Sequence, residues 1–382
     1  MTEPKVALIH DYLVQYGGAE KTLEAIMELF PAAPIYTGVY KPKLLSSQIN
    51  SRKIICPNNS LLNMFPKHLT FLMPTVFESF DLREYDIIIS DGTAWPKGVL
   101  TTPQQLHISY VHTPPRFLYK YSVESSVRNS LIYKPFVSYL DHYLRMWDFS
   151  AAQRPDYLLA NSQEIRKRIQ KFYKRDAKVI YPPVEIDFPT KFDTDQNFAE
   201  PYYLSVGRLS AYKNLDILVQ AFNLLGMHLT IAGTGIEEPK LKKMAKPNIK
   251  FLGRVSELEK HQLYANCLGL IFPVVDEDLG IVPIEAMAHG KPVLAHRSGG
   301  VLETVQEGFS GMFFDTVTVE SLIEKIKEFD TAIRAKKFNP EQIKQTTQNY
   351  GKERFKKEFS SFVREKWEEH NARTTGSTNN NL

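Results

Sequence analysis

Cysteine is nearly absent: the 382-residue chain holds two, Cys56 and Cys267, far apart in sequence. Two such residues build neither a disulfide framework nor a zinc site, and a reducing, cytoplasmic compartment is the simple reading. No run of apolar residues approaches the ~20 that a membrane-spanning helix needs. The opening Met1-Thr2-Glu3-Pro4-Lys5 leads directly into an apolar strand with no charged-then-apolar leader, so no secretion signal is expected. Charge of one sign is also scarce. Lys and Arg number 47 against 43 Asp and Glu, a net charge of +4, which excludes the concentrated basic field of a dedicated nucleic-acid binder. The Gly-x-Gly-x-x-Gly fingerprint is missing after the first strand, and Gly233-Thr234-Gly235 is followed by Pro239 instead of a third glycine. Both facts speak against a nicotinamide dehydrogenase.

What is present is a repeated alternation. Apolar runs of four to six residues recur at Val6–Ile9, Ile108–Val111, Tyr157–Ala160 and, further on, at Tyr202–Val206, Leu229–Ala232, Leu268–Phe272 and Gly311–Phe314. They lack in/out alternation, as strands buried on both faces of a parallel sheet do. Helical stretches such as Ala19–Leu29, Ser162–Tyr173 and Leu215–Leu225 lie between them. The length suits two domains, and this alternation implies doubly wound α/β domains. The expected map is a first Rossmann-like domain over 1–185, a polar linker over 186–201 and a second Rossmann-like domain over 202–345. A helix over 346–371 follows, with Phe355, Phe359, Phe362, Val363 and Trp367 on one face, and then a disordered polar tail over 372–382.

Open α/β sheets bind ligands at the carboxyl ends of their strands, and several motifs stand there. Glu277-Asp278-Leu279-Gly280-Ile281-Val282-Pro283-Ile284-Glu285 follows one strand and opens a helix, with Pro283 in the first turn, where a missing N–H costs nothing. The amides around Leu279–Val282 are placed to meet an anion, and the two glutamates to bind two different diols. The structural alternative for Glu285 is a carboxylate that merely favours the helix dipole. Val206-Gly207-Arg208-Leu209 and Lys213 put a planar fork and a point charge on a loop before a helix, which suits a diphosphate. Two solvated surface cations are the alternative. Gly17-Gly18 after the first strand lets backbone approach a phosphate or sugar. His112, in Tyr110-Val111-His112-Thr113-Pro114-Pro115, can donate to a sugar hydroxyl or be a satisfied loop histidine. Gly299-Gly300 opens another helix and is a further candidate for phosphate contact.

Together these residues resemble glycosyltransferase family 4, the retaining enzymes of GT-B fold, over nearly the whole chain. The glutamate pair Glu277 and Glu285 and the Val-Gly-Arg-Leu stretch with Lys213-Asn214 carry the resemblance. Asp11-Tyr12, Gly17-Gly18-Ala19-Glu20-Lys21, Lys97-Gly98-Val99 and His112-Thr113-Pro114-Pro115-Arg116 look like the mannosyltransferase branch that builds O-antigen and related polysaccharides. That branch usually has Met at Pro115 and an aromatic-acidic pair at Tyr119-Lys120. The resemblance implies an α/β GT-B fold, two Rossmann-like domains facing across a cleft, with the last helix crossing back to the first domain. It implies a hexosyltransferase that uses GDP-mannose, and a saccharide or lipid-linked saccharide acceptor. Arg208 and Lys213 would neutralise the leaving diphosphate, and Glu285 would bind the ribose. Glu277 with amides at Leu279, Gly280 and Ile281 would hold the donor sugar. His112 would contact the sugar near the reacting centre, and Gly17, Gly18 and Gly207 would shape the donor site.

No cofactor, metal or nucleic acid is expected beyond the nucleotide-sugar. Asp193-Thr194-Asp195 has the spacing of a metal-binding pair but falls in the linker. A UDP-sugar donor, a non-catalytic nucleotide-sugar-binding protein and a sugar phosphorylase remain as alternatives. Segments Leu61–Phe80 and Phe117–Phe149 combine aromatic residues with Lys67, Arg116, Lys120, Arg128, Lys134 and Arg145. Either they make a peripheral membrane contact at the inner face of the cell membrane, or Tyr133, Phe136, Tyr139, Tyr143 and Trp147 pack a domain core.

Overall fold

The computed structural model describes residues 4–57, 70–120, 134–188 and 200–378, with the side chains of 134–136 and 374–378 left aside. The chain divides into two compact units. One takes the residues up to Pro183 and resumes at Lys352; the other spans Val184–Gly351. Of the expected linker, 189–199, including Asp193 and Asp195, lies outside the described residues, as do Lys67, Arg128 and Tyr133.

In the first unit the strands are β1 (Val6–His10), β2 (Ile35–Thr37), β3 (Ile54–Ile55), β4 (Ile87–Gly92), β5 (Leu106–Val111), β6 (Tyr157–Ala160) and β7 (Lys178–Val179). They form one parallel sheet in the order β3-β2-β1-β4-β5-β6-β7. Helices of eight or more residues are labelled: α1 (Gly18–Leu29), α2 (Lys134–Ala151) and α3 (Gln163–Tyr173) belong here. β1, β4 and β5 are buried nearly throughout, which is why they read as continuous apolar runs. Strands β2 and β3 are three and two residues long, too short to show a period, and the sequence does not announce them.

The second unit contains β8 (Tyr203–Val206), β9 (Leu229–Ala232), β10 (Ile249–Gly253), β11 (Leu270–Phe272), β12 (Val293–His296) and β13 (Gly311–Phe314). Its labelled helices are α4 (Leu215–Leu225), α5 (Glu257–Asn266), α6 (Ile281–Ala288) and α7 (Val319–Arg334). The sheet is parallel in the order β10-β9-β8-β11-β12-β13. Both sheets therefore reverse strand order at one point, between β1 and β4 and between β8 and β11. Crevices for ligands open at the carboxyl ends of the strands beside such a switch point. Ser256 caps α5, accepting from Glu259 N at 3.2 Å.

The last helix, α8 (Lys352–Thr378), returns the chain to the first unit. Phe355, Phe359, Phe362 and Val363 are buried in the same core as Leu8, Ile87 and Ile108, and Trp367 packs on its edge. The helix differs from the expected 346–371 at both ends. Residues 346–351 belong to the second unit, where Tyr350 O accepts from Val184 N at 2.8 Å. Residues 372–378, expected within a disordered tail, continue the helix. The stretch Glu368-Glu369-His370-Asn371-Ala372-Arg373 holds no proline or glycine to stop it.

Candidate active site

In the second unit the site grows from the end of β8. Gly207 leaves the strand at φ 144, and Arg208 follows, exposed. Adjacent to this turn is the next loop. A Cβ on Gly233 would lie 1.9 Å from Gly207 O, and Gly233 itself has φ 136, so only glycine fits there. The pair Gly233 and Gly235 thus supports the Arg208 turn by close backbone approach. Lys213 ends a short 3-10 turn, and Asn214 takes a left-handed conformation whose side-chain amide donates to Pro273 O at 2.9 Å, tying this loop to the end of β11. Ser205, Gly207, Arg208, Lys213, Phe272 and Val274 line one small pocket.

Glu277 comes to this pocket's lysine. Its Oε2 lies 2.5 Å from Lys213 Nζ, with the side chains 15% and 17% exposed. Burial alone would lower the Lys213 pKa, but Glu277 and then Tyr212 outweigh it, so the ammonium is held charged above its ordinary range. The Glu277 loop is fixed from below. Glu277 O accepts from Gly300 N at 2.8 Å, and Asp276 N donates to Ser298 Oγ at 3.0 Å. A Cβ on Gly299 would lie 2.5 Å from Glu277 O and one on Gly300 2.3 Å from Asp278 O. The role expected for Gly299-Gly300 is therefore corrected. These glycines are filled by the Glu277 loop and act as its bed, not as an open phosphate cradle. Leu279 and Gly280 are buried beneath the start of α6, and the first amides of that helix, Ile281 and Val282, have no intrahelical acceptor.

Glu285 sits on α6 past the first turn, so helix-dipole stabilisation is not its main environment. Lys260 Nζ on α5 lies 2.8 Å from its Oε1, and Tyr264 OH donates to its Oε2 at 2.9 Å. The carboxylate is 8% exposed and oriented from both oxygens. Lys260 and Tyr264 were not singled out in the sequence; their spacing of four on α5 is the only trace they leave. His289 and His261 continue this cluster, with His289 lowered to about 4, first by burial.

In the first unit, Gly17 is the residue before α1, and its N–H donates to Glu20 Oε2 at 2.8 Å. Gly18 opens the helix, exposed. Glu20 begins a buried chain of charges. Glu20 Oε1 lies 4.0 Å from His10 Nε2, and His10 Nδ1 lies 2.9 Å from Asp91 Oδ2. His112 Nε2 lies 2.8 Å from Asp91 Oδ1, close but off the line of an ideal hydrogen bond. Burial would make His10 neutral; Asp91 and Glu20 override it and push its pKa up to about 10. Burial would likewise raise Asp91, but His112 and His10 pull it down to about 2. His10, Asp91 and Glu20 thus link the glycine loop to His112, a connection the sequence does not reveal because its members come from β1, α1, β4 and the end of β5. With Nε2 at Asp91, the His112 nitrogen left for a ligand is Nδ1. Asp11 is also engaged locally: its carboxylate accepts from Thr93 N, Ala94 N and Trp95 N and shapes the turn after β4.

Residues 188–341 match the family model described as glycosyl transferases group 1. An uncharacterized glycosyltransferase of Methanocaldococcus jannaschii, MJ1178, is 31% identical over 214 residues, 55% of this chain and 57% of its own. The alpha-1,3/1,6-mannosyltransferase ALG2 of Mus musculus is 28% identical over 280 residues, 64% of this chain and 65% of its own. The matches thus cover less than two thirds of these relatives' length. Among solved structures, Anabaena HepE in complex with UDP superposes with a TM-score of 0.69 at 18% identity, over 94% of this chain and 99% of that one. Sucrose-phosphate synthase from Thermosynechococcus elongatus gives 0.74 at 16%, over 95% and 99%. At such identities the likeness shows the fold, which is GT-B.

Arg208, Lys213, Glu277 and Glu285 all fall within the matched residues 188–341; Gly17, Gly18 and His112 lie outside them. Lys213 and Glu277 are in direct contact, and Arg208 shares their pocket. Glu285 contacts none of the three and is held by Lys260 and Tyr264. Beside α5, Glu185, Glu257 and His261 bring ligand-type atoms within 4.8 Å of one another. Lys260 Nζ lies 3.0 Å from Glu257 Oε2 and already supplies a positive charge there.

Proposed function

We propose that this chain is a retaining hexosyltransferase that moves mannose from GDP-mannose to a saccharide or lipid-linked saccharide acceptor in cell-surface polysaccharide synthesis. The observation that carries the reading is the Lys213–Glu277 pair beside Arg208, at the switch point of a group 1 domain. Cleaving a nucleotide-sugar builds negative charge on the departing diphosphate and positive character at the anomeric carbon. Fixed cations at the leaving group stabilise that state more than the ground state. Arg208 offers the diphosphate a planar fork, and Lys213 a point charge that exchanges its carboxylate partner for phosphate. Glu277, released, accepts from donor-sugar hydroxyls, and Ile281 and Val282 amides reinforce it. Glu285, braced by Lys260 and Tyr264, accepts from the ribose diol. In the first unit, His112 Nδ1 is the group proposed to bond a sugar hydroxyl.

Retention follows from front-face attack. The acceptor oxygen bonds to the anomeric carbon on the face from which the phosphate oxygen departs, and that oxygen takes the acceptor's proton. The mannosyltransferases named ALG2 among the relatives support mannose as the sugar. HepE, solved with UDP and with UDP-glucose, makes a UDP-sugar the comparison arm. The test is thermal shift of the purified chain against GDP, GDP-mannose, UDP and UDP-glucose, followed by NMR of the anomeric configuration of the product. Stabilisation by GDP-mannose and an α-configured product are expected. Response to uridine nucleotides alone overturns the donor. Binding without turnover or donor hydrolysis overturns the enzyme reading.

A further inference from the structure

The turn that follows β4, from Gly92 to Trp95, stands at the first unit's switch point, and charged side chains hold its backbone from both sides. Asp11 accepts from Thr93 N at 2.5 Å, Ala94 N at 3.2 Å and Trp95 N at 2.9 Å. A Cβ on Gly92 would lie 2.8 Å from Asp11 Oδ2, so the glycine admits that carboxylate. From the other side Lys97 Nζ donates to Ala94 O at 2.5 Å and Thr93 O at 3.3 Å, and lies 2.6 Å from Asp148 Oδ1. Its three protons thus have three oxygen neighbours. Tyr119 OH donates to Asp148 Oδ2 at 3.0 Å, and Lys97 stands over the Tyr173 ring at 5.3 Å. Helix α2 brings Asp148 here by close approach: a Cβ on Gly98 would lie 2.4 Å from the Trp147 ring. The helix turns Trp147 and Asp148 inward and leaves Tyr139, Tyr143, Met146 and Phe149 exposed.

Lys97 and Asp148 are 3% and 0% exposed, and such a pair is a poor source of stability. Burial raises the Asp148 pKa even with Lys97 beside it. Two apolar residues of similar volume would hold the fold as well. What the pair adds is direction: it fixes the carbonyls of the turn as Asp11 fixes its amides. With those groups engaged, the turn has side chains to offer a ligand. Ala94 and Trp95 are buried, while Thr93 is half-buried and its hydroxyl takes no part in these bonds. His112 N donates to Gly92 O at 3.0 Å, which lays the histidine beside the turn. Neither charge of the turn is free to face outward, because Lys97 is buried and the Asp11 carboxylate is spent on three amides. The surface so made suits a neutral hydroxyl, not a phosphate or a carboxylate.

We propose that Thr93 bonds a hydroxyl of the sugar that meets His112, and that Lys97 and Asp148 are positioning residues that hold Thr93 in place. The inference rests on the transferase reading for the presence of a sugar and adds that the sugar is uncharged where it meets this turn. The Thr93 hydroxyl both donates and accepts, as a sugar hydroxyl does. A contact of this kind discriminates only when its mount is rigid, which is what the two flanking charges supply. The sugar hydroxyl belongs to the donor hexose or to the acceptor, and the experiment separates the two.

The full chain is compared with Thr93→Val, Thr93→Ser and the paired variant Lys97→Met with Asp148→Leu. Saturation-transfer NMR with methyl α-D-mannoside measures sugar binding. Hydrolysis of GDP-mannose without acceptor measures donor turnover, and GDP-mannose with methyl α-D-mannoside measures transfer. Thr93→Val is expected to weaken the step that uses the hydroxyl by about threefold to tenfold, the size of one neutral hydrogen bond, and Thr93→Ser to restore it. A loss already present in hydrolysis assigns the hydroxyl to the donor. A loss confined to mannoside binding and transfer assigns it to the acceptor. The paired variant is expected to keep its Tm and show the same loss, and Thr93→Val added to it costs nothing further. Thermal shift with GDP, which carries no sugar, stays at the parent value in every variant. The proposal is overturned if Thr93→Val leaves all three measurements unchanged, or if the paired variant binds and turns over as the parent does. Should the paired variant fail to fold, Thr93→Val and its serine rescue still decide. A parent that binds the mannoside but turns nothing over defeats the transferase reading alone; one that does neither defeats both.

Discussion

At the scale of single residues, the candidate site combines a part-buried ion pair, Lys213–Glu277, with an exposed cation, Arg208. Lys213 is part-buried and paired, so Lys213→Ala removes the cation proposed for the leaving group and strands Glu277. Arg208 is exposed, so Arg208→Ala opens no buried cavity. Each substitution is expected to lower kcat by about 10²–10³, the size of one fixed donor at a developing anion. Steady-state transfer assays check this, with the Tm of Arg208→Ala staying near that of the parent. The His10–Asp91 pair leads to a different expectation. His10 is raised from 6.5 to about 10, so its contribution is complete below about pH 6.5 and lost as pH climbs towards 10. Asp91 is lowered from 3.8 to about 2, so its contribution is complete above about pH 4 and lost as pH falls towards 2. Stability from the pair is therefore full between about pH 4 and 6.5. Asp91→Asn removes the nearer of the two carboxylates that hold the buried His10 imidazolium, leaving Glu20 at 4.0 Å, and is expected to cost about 3–5 kcal/mol. Thermal melts across pH 3–10 should show the parent losing Tm at both ends and the variant following a flatter curve.

Among the elements, the loops at strand ends rest on backbone packed against backbone. The Arg208 turn lies on Gly233, and the Glu277 loop lies on Gly299 and Gly300. Side chains cannot be added at these points without moving a loop that carries a charged group. Gly233→Ala combines a positive φ with a contact of 1.9 Å to Gly207 O. It is expected to cost about 1–3 kcal/mol and to displace the Arg208 turn. Urea denaturation would give the stability loss, and a weakened thermal shift with donor nucleotide the displacement. If nucleotide response is retained at full size, the glycine contacts do not position Arg208. Helix α5 supports a charged group in a comparable way, since its Lys260 and Tyr264 fix both oxygens of Glu285, a residue on another helix.

On the scale of the whole molecule, the chain leaves its first unit at Pro183, builds the second, and comes back at Lys352. Phe355 and Phe359 are fully buried in the first unit's core, more than 170 residues after the rest of it. Phe359→Ala is expected to cost about 3–5 kcal/mol, felt by the first unit. Hydrogen exchange resolved along the chain checks this: β1, β4 and β5 should lose protection while β8–β13 keep theirs. Much of this organisation is legible in order of residues. Continuous apolar runs announce the long buried strands, and the aromatic face of α8 announces its need for a partner. Arg208, Lys213, Glu277 and Glu285 are visible because they follow strand ends at short spacings. The sequence by itself determined the fold class, the strand ends that carry chemistry and the residue types there, because periodicity and turn chemistry are local. Only the tertiary structure decided that Lys213 meets Glu277, that Lys260 and Tyr264 hold Glu285, that Asp91 joins His10 to His112, and which aromatics of α2 stay bare. Those outcomes depend on strand order and helix rotation, which bring together residues 21 to 81 positions apart and leave no periodic trace.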